Sequence, residues 1–163
     1  MIDVEKITEE FWDALDDSPV VMLGLAGMQT THMQPMQAFF DDDYPNNLYF
    51  FTKIDNSLVT AIPDGGKATI AFAAKGHDVF ASVEGSLAAI KDKALIDRFW
   101  SPTLNAWYES GQEDPKLTML KFDMDKGEIW KAGSGEFLRY MLSAFVRGTA
   151  TDAAKKDHAE VAF

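Results

Sequence analysis

The chain has 163 residues, of which 47% are hydrophobic, 12% aromatic and 25% charged, a balance that excludes general disorder, collagen and coiled-coil arrays. It has no cysteine, which removes disulfides, thiolate metal sites, iron–sulfur ligation and cysteine nucleophiles, and suits a reducing, cytoplasmic setting. The net charge is −11, residues 1–46 carry ten acids against Lys6 alone, and nothing beyond Lys155-Lys156 offers nucleic acid a cluster of bases to release its counterions.

In chain order, Ile7, Phe11, Trp12 and Leu15 recur at helical spacing behind Thr8, a candidate N-cap, and the pattern stops at Asp16-Asp17-Ser18-Pro19. The continuous apolar run Val20 to Ala26 predicts a strand buried on both faces, closed by Gly27. Met33 to Phe40 reads as a second extended piece, followed by the acidic turn Asp41-Asp42-Asp43-Tyr44-Pro45-Asn46-Asn47 and a third strand, Leu48 to Thr52, in hairpin-like succession. Asp55-Asn56-Ser57 offers caps for one helical turn, Leu58 to Ile62, which Pro63-Asp64-Gly65-Gly66 ends.

Two strands, Lys67 to Ala74 and Val79 to Ile90, follow around Lys75-Gly76-His77-Asp78. In the second, Val79, Ala81, Val83 and Leu87 share one face, and Phe80, Ser82, Glu84 and Ser86 the other, as in a half-buried strand. Lys91 to Trp100 is again helical in spacing. Trp107-Tyr108 and Asp114-Pro115 fall in a loop, and Leu117 to Phe122 with Glu128 to Lys131 predict a hairpin through Asp125-Lys126-Gly127. Gly133-Ser134-Gly135 reads as a hinge before an amphipathic helix at about 135–147 capped by Gly148, and Val161-Ala162-Phe163 as a last strand in the tail 148–163. About six strands with peripheral helices predict a mainly β or α+β antiparallel barrel, one domain over 1–163. Neither an export signal nor a membrane-spanning stretch is expected.

No P-loop, G-x-G-x-x-G after a strand, H-E-x-x-H or G-x-S-x-G occurs. His32, His77 and His158 stand too far apart for a local metal pair, and Asp41-Asp42-Asp43 lacks the alternating ligands and closing Glu of a Ca²⁺ loop, which makes it a solvated turn. No metal is therefore expected. Glu84 is the one lone acid on a predicted strand that an acid–base role would single out, against the simpler reading of an outward-facing residue. Among the aromatics able to stack on a planar ligand, Phe99 and Trp130 read as core, while Trp107-Tyr108 sits in a polar loop.

One ordered set of segments is more specific: Gln34-Pro35-Met36, then Leu48-Tyr49-Phe50-Phe51-Thr52 with Asp55-Asn56-Ser57, then Ser82-Val83-Glu84-Gly85, then Phe99-Trp100-Ser101-Pro102, Trp107-Tyr108 and Gly111-Gln112-Glu113-Asp114-Pro115. This set resembles the pyridoxamine 5′-phosphate oxidase-like FMN-binding split barrels, in their general-stress-protein branch, over residues from about 8 to 132. The resemblance implies a Greek-key split barrel forming a homodimer, with FMN at the subunit interface and oxidoreductase activity on a small molecule. By position it implies that Gln34, Pro35 and Met36 line the ring and ribityl region, Phe51 and Thr52 lie beside the flavin, and Ser57 reaches the phosphate from the helix start. It further implies that Trp107, with Tyr108, comes from the neighbouring chain.

Two departures bear on the cofactor. Gln34 stands where that family usually has arginine, and Leu58 where it usually has lysine, so both usual cationic partners of the phosphate are missing and FMN binding is expected to be weakened. Lys53, Lys67, Lys75 and the helix start at Ser57 are the available substitutes. The alternative is a non-catalytic dimeric module of the same fold that has lost FMN or takes another flat ligand, a deazaflavin or a haem, for which His32 would be the axial candidate.

Overall fold

The computed structural model describes residues 3–27, 31–132 and 158–163. Helix α1 (Val4–Asp17) buries Ile7, Phe11 and Leu15 along one stripe. Its cap is Asp3, whose carboxylate accepts from the Lys6 N–H at 3.1 Å; Thr8 lies inside the helix and donates its hydroxyl to the Val4 carbonyl. An Asp one residue before the first turn reaches an orphan N–H that Thr8, a turn later, cannot.

Seven strands form one antiparallel sheet: β1 (Val20–Leu25), β2 (Gln34–Gln37), β3 (Asn47–Lys53), β4 (Gly66–Ala73), β5 (Val79–Ile90), β6 (Leu117–Lys131) and β7 (His158–Ala162). The order is β2-β1-β4-β5-β6-β3, with β7 added to β6. β1 alternates over its first four residues, where Val21 and Leu23 point into the core and Val20 and Met22 stand exposed, and only at Gly24 and Leu25 is it buried on both faces as expected. The alternation read along β5 holds, with Val79, Ala81, Val83 and Leu87 buried.

β6 corrects the hairpin expected at Asp125-Lys126-Gly127. The strand runs unbroken for 15 residues, pairing with β3 over Leu117–Asp123, with β5 over Met119–Lys131 and with β7 over Lys126–Trp130. Gly127 serves close approach there and not a turn: a Cβ would lie 2.7 Å from the Ser82 carbonyl oxygen and 2.9 Å from Val83 Cγ2. The register slips opposite, between Glu84 and Gly85, and such a bulge lets a long strand bend instead of folding back. The last strand begins earlier than expected, at His158, while the hinge, the helix at about 135–147 and its Gly148 cap lie outside the described residues.

The sheet curls until its two ends meet without closing. Phe39, just beyond β2, exchanges both backbone hydrogen bonds with Tyr49 of β3 at 2.8 Å each, yet β2 and β3 themselves are unpaired. This is a split barrel of the mainly β class, with α1, α2 (Ser57–Thr60) and α3 (Lys93–Phe99) at its periphery. The main core joins α1 to the inner sheet face through Phe11, Leu15, Leu23, Phe50, Ile70 and Phe122. A second cluster gathers Tyr49, Leu95, Ile96, Leu104, Tyr108, Leu117 and Met119 under α3, with Phe39, Phe51, Phe99 and Trp100 against it. No helix among the described residues is long and apolar enough to cross a membrane.

Candidate functional site

The gap between β2 and β3, which do not pair with each other, is a cleft of about 520 Å³, lined by Gln34, Pro35 and Met36 from one side and Phe51, Thr52 and Lys53 from the other. That size lies within the range of small-molecule sites, roughly 300–1,000 Å³. Asp55 and Asn56 complete the lining, together with Leu104, Trp107 and Tyr108. The structure thus brings Gln34, Pro35, Met36, Phe51, Thr52, Trp107 and Tyr108 to one place on a single chain. Composition along these segments explains the placement: Met36 is buried and Gln34, on the same strand face, half-buried, while Pro35 and Gln37 stand exposed on the other face, and Thr52 is a buried polar residue at the end of an apolar strand.

Two parts of the lining differ in chemistry. Trp107 is 71% exposed and Tyr108 only 5%, so adjacent residues give the cleft an exposed aromatic face and a fixed one. Tyr108 packs against Trp100, which meets Phe51 edge-on at 5.7 Å, and Phe51 meets Phe39 at 5.2 Å. Burial pushes the Tyr108 phenol up to about 12, with the Asp114 carboxylate adding to the shift. Asp114 itself accepts from the N–H groups of Lys116 and Ser110, which hold its carboxyl below its ordinary value and fix the loop that presents Trp107.

In the other part the side chains form a neutral relay. The Leu58 N–H donates to Asn56 Oδ1 at 2.8 Å, Asn56 Nδ2 donates to Gln34 Oε1 at 2.8 Å, and Gln34 Nε2 donates to Ser57 Oγ at 2.8 Å. Ser57 is therefore attached to the site through Gln34. Leu58 departs from its expected place beside a ligand, because its side chain is fully buried in the main core and only its N–H, already used by Asn56, faces the relay.

Of the substitute cations, Lys53 lines the cleft, on the side it shares with Trp107, Tyr108 and Asp114. Lys67 donates to Ser86 and Lys75 pairs with Asp17, both away from it.

Several other candidates fall elsewhere. His32 is exposed and does not line the cleft, His77 occupies a turn with φ of 55°, and His158 stacks on Trp130 at 5.1 Å. No group of three or more metal-ligating side chains occurs among the described residues. Glu84 faces outward from β5 and lies 3.5 Å from Lys126. Asp41 and Asp43 are more than a solvated turn: both grip the Arg98 guanidinium of α3, which also lies over the Tyr44 ring at 5.2 Å. Sequence reading missed this clasp because its partners are 55 and 57 positions apart.

The model of the family described as pyridoxamine 5′-phosphate oxidase like matches residues 6–153. Among solved structures, a general stress protein 26 from Jannaschia sp. CCS1 superposes with a TM-score of 0.76 at 30% identity, over 99% of this chain and 100% of that one. The general stress FMN/FAD binding protein from Xanthomonas citri gives 0.75 at 42% identity, over 81% and 93%. A general stress family protein from Xanthomonas campestris pv. campestris gives 0.76 at 43% identity, over 83% and 93%. No curated protein matches the chain.

Proposed function

We propose, for a chain that belongs to the pyridoxamine 5′-phosphate oxidase-like family, that the cleft between β2 and β3 binds a flavin, FMN in the form the resemblance implies, and that the protein is a flavin-dependent oxidoreductase acting on a small molecule. The observation that carries this reading is the convergence of Gln34-Pro35-Met36 and Phe51-Thr52, from two strands that do not pair with each other, onto Trp107-Tyr108. The relative from Xanthomonas citri, 42% identical, is described as binding FMN or FAD. When bound, a flavin supplies the hydride or electron transfer. Met36 and Phe51 offer apolar walls to a planar ring, Trp107 an exposed indole to cover it, and Gln34 and Asn56 hydrogen bonds in the polar part. With a phenol that ionises only at about 12, Tyr108 acts at neutral pH as a hydrogen-bond donor and not as a base.

The same reading makes the protein a homodimer. Trp107 stands 71% exposed, and Met22, also exposed, sits in register beside Pro35 of the cleft wall, next to exposed Val20. A partner chain laid on this strip would cover apolar surface and place its own Trp107 near the cleft of its neighbour. Lack of cysteine favours a reducing compartment, the cytoplasm.

The purified protein should be yellow, with flavin absorption bands, or should acquire them on incubation with excess FMN, and light scattering should give twice the chain mass. A colourless protein that excess FMN does not change would overturn the flavin reading, and a monomer mass would overturn the dimer. A second reading, a dimeric module that has given up FMN, is favoured by the uncharged relay where a phosphate would be gripped; it predicts no flavin bands under either condition.

A further inference from the structure

The orientation of the relay is set by the backbone. Because the Leu58 N–H can only donate, Asn56 must present Oδ1 to it, which leaves Nδ2 to face Gln34; Gln34 must then accept with Oε1 and turn Nε2 to Ser57. Each amide keeps one N–H and one lone pair unused, and Ser57 keeps its hydroxyl hydrogen. What the relay offers is thus an interleaved set of neutral donors and acceptors. A polyol matches this, since every hydroxyl both gives and takes a hydrogen bond. A phosphate dianion matches it poorly, being acceptor-only and relying on charge-assisted bonds. Among the described residues the cleft lining carries one charge of each sign, Lys53 and Asp55, so it has no net positive charge for a phosphate, and the chain as a whole is at −11.

We infer that Gln34, Asn56 and Ser57 make this part of the cleft a seat for an uncharged hydroxylated chain, so that the site takes flavins by ring and polyol and gains nothing from a terminal phosphate: riboflavin binds at least as well as FMN. The inference rests on the flavin reading above and assigns Gln34 as the residue that sets tolerance for the phosphate. Lys67 and Lys75, the other cations of the neighbouring segments, are engaged by Ser86 and Asp17 and leave the balance unchanged.

The test is a fluorescence titration of the flavin-stripped protein with riboflavin and with FMN in parallel, at low and high salt. The expected result is a riboflavin Kd equal to or below that of FMN, little change in the FMN Kd with salt, and about a tenfold gain for FMN alone in Gln34→Arg. FMN binding about tenfold or more tighter than riboflavin in the unaltered protein would overturn the inference while leaving the flavin reading standing. Saturable binding of neither flavin would overturn both. Because the first comparison needs no variant, it decides the matter even if Gln34→Arg does not fold.

Discussion

Leu58 shows how one side chain separates what a position suggests from what it does. Lying next to Ser57 and Asn56, it occupies a place where a cation would serve a phosphate, yet it is fully buried in the main core. Leu58→Ala is expected to cost about 2–5 kcal/mol of stability. Leu58→Lys should also lower the denaturation midpoint, because a buried ammonium lacks a partner there; a lysine variant as stable as the parent would contradict this placement. Tyr108 gives a second prediction. Its folded-state pKa is raised to about 12 from 10.0, so its contribution is fully present below pH 10 and lost as pH climbs towards 12. In denaturation at pH 10–12, Tyr108→Phe should lose less stability with rising pH than the parent. Some of this residue-scale detail is legible beforehand: Asn56 announces itself as a cap because a short polar side chain precedes a brief apolar stretch. The direction of Leu58 does not, since a single turn has no periodicity to reveal its inner face.

Among the elements, β6 and the α3 clasp teach opposite lessons. Asp125-Lys126-Gly127 carries turn chemistry, but partners on both sides hold the segment extended, so cross-strand packing overrides local preference. Gly127→Ala is expected to destabilise the protein by about 1–3 kcal/mol, read from denaturant midpoints, because the new methyl would press on Ser82 and Val83. The long strands with clean alternation, β4 and β5, are read well because period-two burial is written directly in their residues.

The clasp of Asp41 and Asp43 on Arg98 has no such local signature. Its removal in Arg98→Ala should speed amide exchange in α3 while leaving β4 and β5 protected; unchanged exchange in α3 would contradict it. The loop bearing Trp107 depends in turn on Asp114. Since its carboxyl is held below its ordinary value of 3.8, its stabilisation is present above about pH 4 and lost as pH falls through the lowered value. Asp114→Asn should flatten that acid dependence.

For the whole molecule, function follows from the way the sheet fails to close. Phe39 and Tyr49 pin the two ends together at one bridge, and the strands diverge beyond it to leave the cleft. The mainly β antiparallel class can be anticipated from alternation and turn residues, at about six strands where there are seven, but those signals do not show the split, because it depends on which strands fail to pair with each other. The site residues Gln34, Met36, Thr52 and Trp107 are scattered over more than seventy positions and carry no catalytic motif, so only the resemblance groups them before the fold does.

The measurement that bears most directly on the account is a titration of purified, flavin-stripped protein with FMN, following flavin fluorescence in the parent and in Trp107→Ala. Saturable quenching in the parent, weakened in a variant of unchanged stability, is the predicted result, since Trp107 is exposed and covers the cleft. Absence of saturable quenching in the parent, or identical binding in the variant, would contradict a flavin seated between β2 and β3.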